Sequence, residues 1–322
     1  MARRTLIRGL CLALMLACLG PAARSRAAPG TGADGGDYVR MVAPGVYVRP
    51  GLVQDATAAN RDAIANIGFI VGRDAVAVID PGGSAADGAQ LRAVIRSYSP
   101  LPIRYLIYTH VHPDHVLGAV AFAQDHPVVV AHARFAAAWG ERGAFYRQGL
   151  ARILGGDAAR AGDALPPTQA VGDATDVDLG GRVLHLLACG AAHTDSDLAI
   201  YDDQTRTLWA GDLLFQDHVP VLDGSLSGWL KTLAQLKALP AVRAVPGHGP
   251  VQVPWPAGVA DEERYLTTLA RDAHALLARG GDIDGAAAII GQSEKGRWRL
   301  FDAYNGRNAI TAFKQLEWED TP

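Results

Sequence analysis

The sequence predicts a mixed α/β (α+β) fold, and three observations carry that prediction. Strand-like runs crowd the region between residues 45 and 80. Strand-like and helical runs then alternate, and 49% of the residues are hydrophobic. About 290 residues remain once a leader is removed, enough for one substantial core or two small ones. No repeat of identical motifs divides the chain, so one domain is the simpler reading.

Taken in order, the elements begin with an export layout over 1–28. Arg3, Arg4 and Arg8 precede an apolar stretch from about Leu10 to Leu19, and an alanine-rich region from Ala22 to Ala28 follows, the pattern of a cleaved secretory signal. The apolar stretch is too short to span a membrane and stay. The run Arg3-Arg4-Thr5-Leu6-Ile7-Arg8 also resembles a twin-arginine signal, with ordinary Sec export left open. A lipoprotein anchor is disfavoured, because Met15 is a poor fit to the box ending at Cys18. An exported, periplasmic protein is therefore expected. Cleavage near Ala28 takes the formal charge from -3 to about -8, and an acidic surface argues against nucleic acid or anionic membranes as partners. Cys11 and Cys18 leave with the leader, so Cys189 is left without an intramolecular disulfide partner and reads as a small buried residue.

Residues 29–40 form a flexible lead-in with too little apolar content to pack, and the domain is expected over 41–322. Strands are predicted at 45–49, 65–71 and 75–80, a helix at 85–98, a strand at 103–108 and a helix from 115 to about 124. Residues 131–155 read as two helices bearing Trp139, Phe145 and Tyr146. This insertion could wall a substrate pocket, although its aromatics read more readily as core. A loop carries Pro166-Pro167 over 163–168. Later strands are predicted at 182–189, 207–210 and 241–245. An amphipathic helix over 261–279 opens with acidic residues that suit its dipole, within a helical segment of about 258–319.

The chemistry concentrates in Thr109-His110-Val111-His112-Pro113-Asp114-His115, where four metal-ligating side chains occupy six positions. Imidazoles and a carboxylate offer the nitrogen and oxygen donors that zinc accepts at about 2 Å. Residues two apart on an extended segment point the same way, so His110 and His112 can share one ion. Pro113 biases His112 toward extended geometry and suits a turn into a helix, which sends Asp114 and His115 to a neighbouring site. The run reads as half of a two-metal centre; the plain alternative is a solvated loop rich in histidine. His193, Asp212 and His248 each follow an apolar run and sit beside glycines, and they are candidates for the other half.

His-x-His-x-Asp-His followed by His, Asp and His, in this order and on these loops, resembles the metallo-β-lactamase superfamily of metallohydrolases. The resemblance spans roughly residues 43 to 250 and implies a four-layer αββα sandwich with two divalent ions, zinc being the expected metal. By resemblance, His110, His112 and His193 hold one ion, Asp114, His115 and His248 the other, and Asp212 bridges. Iron and manganese remain open, because imidazoles and carboxylates suit several divalent metals. The segment Ala75-Val-Ala-Val-Ile-Asp80-Pro81-Gly82-Gly83 resembles the first motif of the superfamily, whose Asp braces the metal loops without ligating; that role passes to Asp80. Thr194, Asp195 and Ser196 are further candidates for holding the outer nitrogens of the ligating histidines.

Two such ions lower the pKa of bound water to about 7 and supply hydroxide at neutral pH. Asp114 is the candidate proton shuttle to the leaving group, with Asp212 as its rival. An Asp at the bridging position argues against a true β-lactamase, and His112 argues against the flavodiiron branch, where Glu is usual. The expectation is a dinuclear zinc hydrolase using metal-bound hydroxide on a small ester, lactone or thioester. Two segments, Trp209 to Leu230 and Asn308 to Glu319, are similar to the quinoprotein relay system zinc metallohydrolases. That similarity keeps open an accessory role with a pyrroloquinoline quinone dehydrogenase as partner. His218, six residues past Asp212, reads either as a wall of the substrate mouth or as a loop histidine contacting backbone.

Overall fold

The computed structural model describes residues 38–319; the leader reading over 1–28 lies outside them. Two sheets form the centre. The first runs in chain order through β1 (Arg40–Ala43), β2 (Val46–Arg49), β3 (Ile67–Val71), β4 (Val76–Ile79), β5 (Ile103–Ile107), β6 (Val128–His132) and β7 (Gln169–Val171). Its first four strands pair antiparallel and the rest parallel. Helix α1 (Ala85–Tyr98) makes the crossover that the parallel β4–β5 pair requires. Its cap is Ser84, whose side chain accepts from the Asp87 amide.

The second sheet comprises β8 (Ala174–Asp178), β9 (Val183–Ala188), β10 (Leu198–Asp202), β11 (Thr207–Phe215), β12 (Arg243–His248) and β13 (Val253–Pro254), ordered β13-β12-β11-β10-β9-β8. The sheets pack face to face. Strand β4 shows how the sequence dictates this: all four of its residues are buried, with Val76 and Val78 turned to one layer and Ala77 and Ile79 to the other. Ala77 and Ile79 join Ile107 and Val130 against Leu186, Ile200, Trp209 and Val245 of the second sheet. On the outer face, Val76 and Val78 meet Leu91 and Ile95 of α1 and Phe135 of α3 (Phe135–Ile153). Short helices α2 (Pro113–Val116) and α4 (Ala158–Ala161) flank this side. The second sheet is covered by α5 (Leu226–Lys237), α6 (Ala260–Ala278), α7 (Ile283–Ile289) and α8 (Phe301–Glu319), with Trp229, Leu233, Leu269 and Phe313 in one core. Four layers, αββα, result.

Four local expectations are corrected. Val39 is buried and Arg40 opens β1, so packing begins inside the segment expected to be a flexible lead-in. The helix expected from 115 to about 124 is a single turn, α2, running into 3-10 turns that end at His126 in the left-handed region. Residues 131–155 hold the end of β6 and one continuous helix, α3, rather than two helices. Strand β11 continues past Ala210 to Phe215, so Asp212 lies within it. Register shifts on either side of Gly211 kink it there.

Candidate metal centre

Each candidate ligand is delivered by a strand, by the loop beside one or, for Asp114 and His115, by the single turn of α2. His110, His112, Asp114 and His115 follow β5, His193 lies between β9 and β10, Asp212 belongs to β11, and His248 ends β12. The parallel pairing of β11 with β12 brings Asp212 and His248 together. Gly247 is needed there, because a Cβ would stand 1.8 Å from Asp212 Oδ1. Two groups result, His110, His112, His193 and Asp212 in one and Asp114, His115 and His248 in the other, with the donor atoms of each group within 4.8 Å of one another. Asp212 touches both groups. Its Oδ2 lies 3.7 Å from His110 Nε2, 3.4 Å from His193 Nε2 and 3.3 Å from His248 Nε2, and its Oδ1 lies 3.1 Å from His115 Nε2. Asp114 Oδ2 lies 3.3 Å from His248 Nε2 and 3.6 Å from His115 Nε2.

The outer nitrogens of four histidines are held from behind. His115 Nδ1 donates to Asp80 Oδ2 at 2.8 Å, and Asp80 also accepts from the Thr109 amide at 2.8 Å and the Thr109 hydroxyl at 2.7 Å. His110 Nδ1 meets Thr109 Oγ1 at 3.0 Å. His193 Nδ1 donates to the Val221 carbonyl at 2.7 Å, and His112 Nε2 donates to Asp223 Oδ2 at 3.0 Å. With those protons committed outward, His112 Nδ1 and His193 Nε2 turn lone pairs toward each other at 2.9 Å. His110 Nε2, His115 Nε2 and Asp212 Oδ1 are buried with no hydrogen-bond partner in the protein. Such atoms are costly unless something completes them. A cation in each group satisfies all of them, and imidazole with carboxylate is the donor set for a borderline divalent metal.

The electrostatics divide the histidines into two kinds. Burial pushes the His110 imidazole well below its ordinary value and His193 down to about 3, which leaves both neutral as ligands must be. Burial works against charging His115 and His248 as well. Asp212 and Asp114 overcome it, holding His115 well above the usual histidine value and His248 up to about 9. In return, burial of Asp114 and Asp212 is outweighed by these imidazoles, with Asp114 held at about 2 and Asp212 well below the carboxylate range.

Of the other candidates, Thr194, Asp195 and Ser196 hold no ligand ring. The Thr194 amide and hydroxyl donate to Asp197 at 2.9 and 2.5 Å, and the Ser196 amide donates to Thr194. Asp195 pairs with Arg134 and Arg142. The reason is the turn at 194–197, which closes on its own buried Asp197; burial raises that carboxyl to about 7 against the pull of Thr194. His218 does both things expected of it as alternatives. Its Nδ1 donates to the Val219 carbonyl at 2.6 Å, and its ring lines the cavity 5.3 Å from the His248 ring.

A cavity of about 650 Å3 opens over the cluster, with His112, Asp114, His193, Asp212 and His248 at its floor. Phe145 and Tyr146 of α3 wall it, which corrects the reading of those two as core; Trp139 alone of the three packs inward, stacked on Phe135. Sequence reasoning missed Asp62, Asp223 and Tyr304, which line it along with Arg307. Asp62 sits at a left-handed φ of 63° with no motif around it, and Tyr304 and Arg307 arrive from α8 far along the chain.

Residues 61–248 match the family model described as Metallo-beta-lactamase superfamily. A curated relative, 2,4-dinitroanisole O-demethylase subunit alpha of Nocardioides sp. (strain JS1661), is 28% identical over 229 residues, 68% of this chain and 62% of that relative. The chain thus spans about three-fifths of the length of that relative. A metallo-beta-lactamase family protein from Thermus thermophilus superposes with a TM-score of 0.62 at 20% identity, covering 86% of this chain and 95% of that one. The sec-alkylsulfatase Pisa1 from Pseudomonas sp. gives 0.63 at 18% identity, covering 86% and 50%. The family match extends over more than half of the chain and ends at His248, the last residue of the cluster, so this protein belongs to the metallo-beta-lactamase superfamily.

Proposed function

We propose that the protein is a dinuclear, zinc-dependent hydrolase that cleaves a small ester, lactone or thioester, and that it works after export. The observation that carries this reading is Asp212, whose two oxygens reach histidines of both donor groups, as a bridging carboxylate does. His110, His112 and His193 would hold one ion, Asp114, His115 and His248 the other. Divalent ions bound there supply Lewis acidity and acidify water. Asp80, Thr109, Asp223 and the Val221 carbonyl keep the imidazoles turned toward the cluster. Asp114 suits the handling of a proton better than Asp212. Its side chain is 12% exposed at the cavity floor, against 4% for Asp212, which is hemmed in by four imidazoles.

Turnover by the zinc-loaded protein on thioesters, lactones, aryl esters and cephalosporins tests the reading. An aryl methyl ether and an alkyl sulfate join the panel, given the names of the relatives. Activity on a carboxylic ester or thioester that is lost in Asp212→Ala is expected; turnover confined to the ether or sulfate would replace the substrate class. The narrower placement beside a quinoprotein system rests on residues 209–230 and 308–319 alone, and titration of the metal-loaded protein with pyrroloquinoline quinone tests it. Export is tested by N-terminal sequencing of the protein recovered from the periplasm, where a start near Pro29 is expected.

A further inference from the structure

Helix α3 turns one face into the cavity instead of into a core. Arg142, Phe145, Tyr146, Gly149, Leu150 and Ile153 all line that cavity, and their spacing of three and four places them on one side of the helix. Leu150 is buried beside Ala151 and Leu154, but Phe145 is 70% exposed and Ile153 40%, so these two side chains of the face stand open. It is continuous with the metal cluster, since the Tyr146 ring lies 6.0 Å from the His112 ring.

Gly149 leaves open space on the stripe, as Gly140 does elsewhere on the helix. Glycine inside a helix is unfavourable relative to alanine, so it usually answers a packing need. Gly143 has one, because a Cβ there would meet the Trp139 ring at 2.7 Å. At Gly149 a Cβ would meet nothing within 4 Å. Its missing side chain leaves room between Phe145 and Ile153, one turn to either side. The charges lining the cavity indicate what fills that room. Arg142 is engaged by Asp195 at 3.4 Å and Arg307 by Asp223. Glu141 adds a carboxylate, and Asp62 a carboxyl group that burial and Asp114 push well above its ordinary value. Both arginines among the described lining residues are therefore committed, and a second anionic group on the substrate would find carboxylates already there.

We infer that the open face of α3 is a subsite for an uncharged apolar group of the substrate, an alkyl chain or aryl ring, held while the scissile bond lies at the metal cluster. The inference rests on the hydrolase reading above and names its substrate class. Burial of the chain is the source of discrimination, so kcat/KM of the zinc-loaded protein on acyl esters from acetyl to octanoyl is expected to rise roughly fourfold per methylene. Gly149→Leu fills the space while improving helix propensity. It is expected to cut the octanoyl-to-acetyl ratio at least tenfold with no loss of Tm. Phe145→Ser, at an exposed position, should lower the same ratio.

Binding gives a readout independent of turnover. The neutral fluorescent probe N-phenyl-1-naphthylamine should bind the metal-loaded protein, be displaced by octanamide, and bind about tenfold more weakly to Gly149→Leu. Probe binding that is lost in Gly149→Leu, with no ester hydrolysed, would sustain the subsite and sink the ester-hydrolase reading instead. Equal probe affinity in both proteins, a flat chain-length profile, or a preference for succinyl over butyryl esters would overturn the inference.

Discussion

Asp80 is fully buried with a φ of 55°, a region where a side chain other than glycine is strained. The conformation lets one carboxylate collect the Thr109 amide, the Thr109 hydroxyl and His115 Nδ1, tying the end of β4 to the loop after β5. Burial raises its carboxyl, and His115 opposes the rise. Asp80→Ala is therefore expected to weaken divalent-metal affinity by roughly 10- to 100-fold, with Asp80→Asn in between. Competition with a chromophoric chelator measures this, and affinity equal to wild type would show that the bracing is incidental. Asp80 was legible because the run Ala75 to Gly83 resembles the first motif of the superfamily. Asp223 was not. It reads as a turn aspartate before Gly224, and its meeting with His112 crosses 111 positions of chain. The same blindness explains Thr194, adjacent to a ligand in sequence yet committed to Asp197.

Among the elements, β11 and α6 share a buried contact with a pH signature. The Phe215 amide donates to Glu262 Oε1 at 3.0 Å, while Oε2 is buried without a partner. Burial raises the Glu262 carboxyl well above its ordinary value, more than the Phe215 hydrogen bond lowers it. The fold thus favours the protonated form. This contribution to stability is complete below the unfolded value of about 4.3 and is lost as pH rises through the folded one. Glu262→Gln keeps an acceptor and cannot ionise, so its Tm should gain on wild type steadily from pH 5 to 9; parallel Tm curves would refute the assignment. A Trp229→Ala change in α5 should cost about 3 to 5 kcal/mol in denaturant unfolding. Trp229 is fully buried against the His193 ring, with Nε1 donating to the Leu213 carbonyl. Periodicity located α1 and α6, where one apolar face meets a core. It broke α3 in two, because glycines at 140, 143 and 149 interrupt the run although the helix passes through them.

For the molecule as a whole, the candidate metal centre would also be a clamp, since its candidate ligands come from both sheets and the loops beside them. An ion that binds only the folded chain stabilises it by about 2.7 kcal/mol at a hundredfold excess over Kd, so chelation should lower Tm by several degrees. The drop should shrink toward acid pH, because an ion must displace the protons held on His115 and on His248, the latter raised to about 9. A chelator-insensitive Tm at pH 8 would contradict the clamp. Residue patterns in the sequence determined the mixed α/β class and the seven candidate residues of the cluster, and resemblance to the superfamily added the brace at Asp80. Strand periodicity and crowded ligand residues are short-range properties, written in consecutive positions. Tertiary structure alone decided that Asp223 and the Val221 carbonyl orient the imidazoles and that α3 offers its apolar face to a cavity. Each of these depends on groups far apart in the chain meeting in three dimensions, which no local pattern encodes.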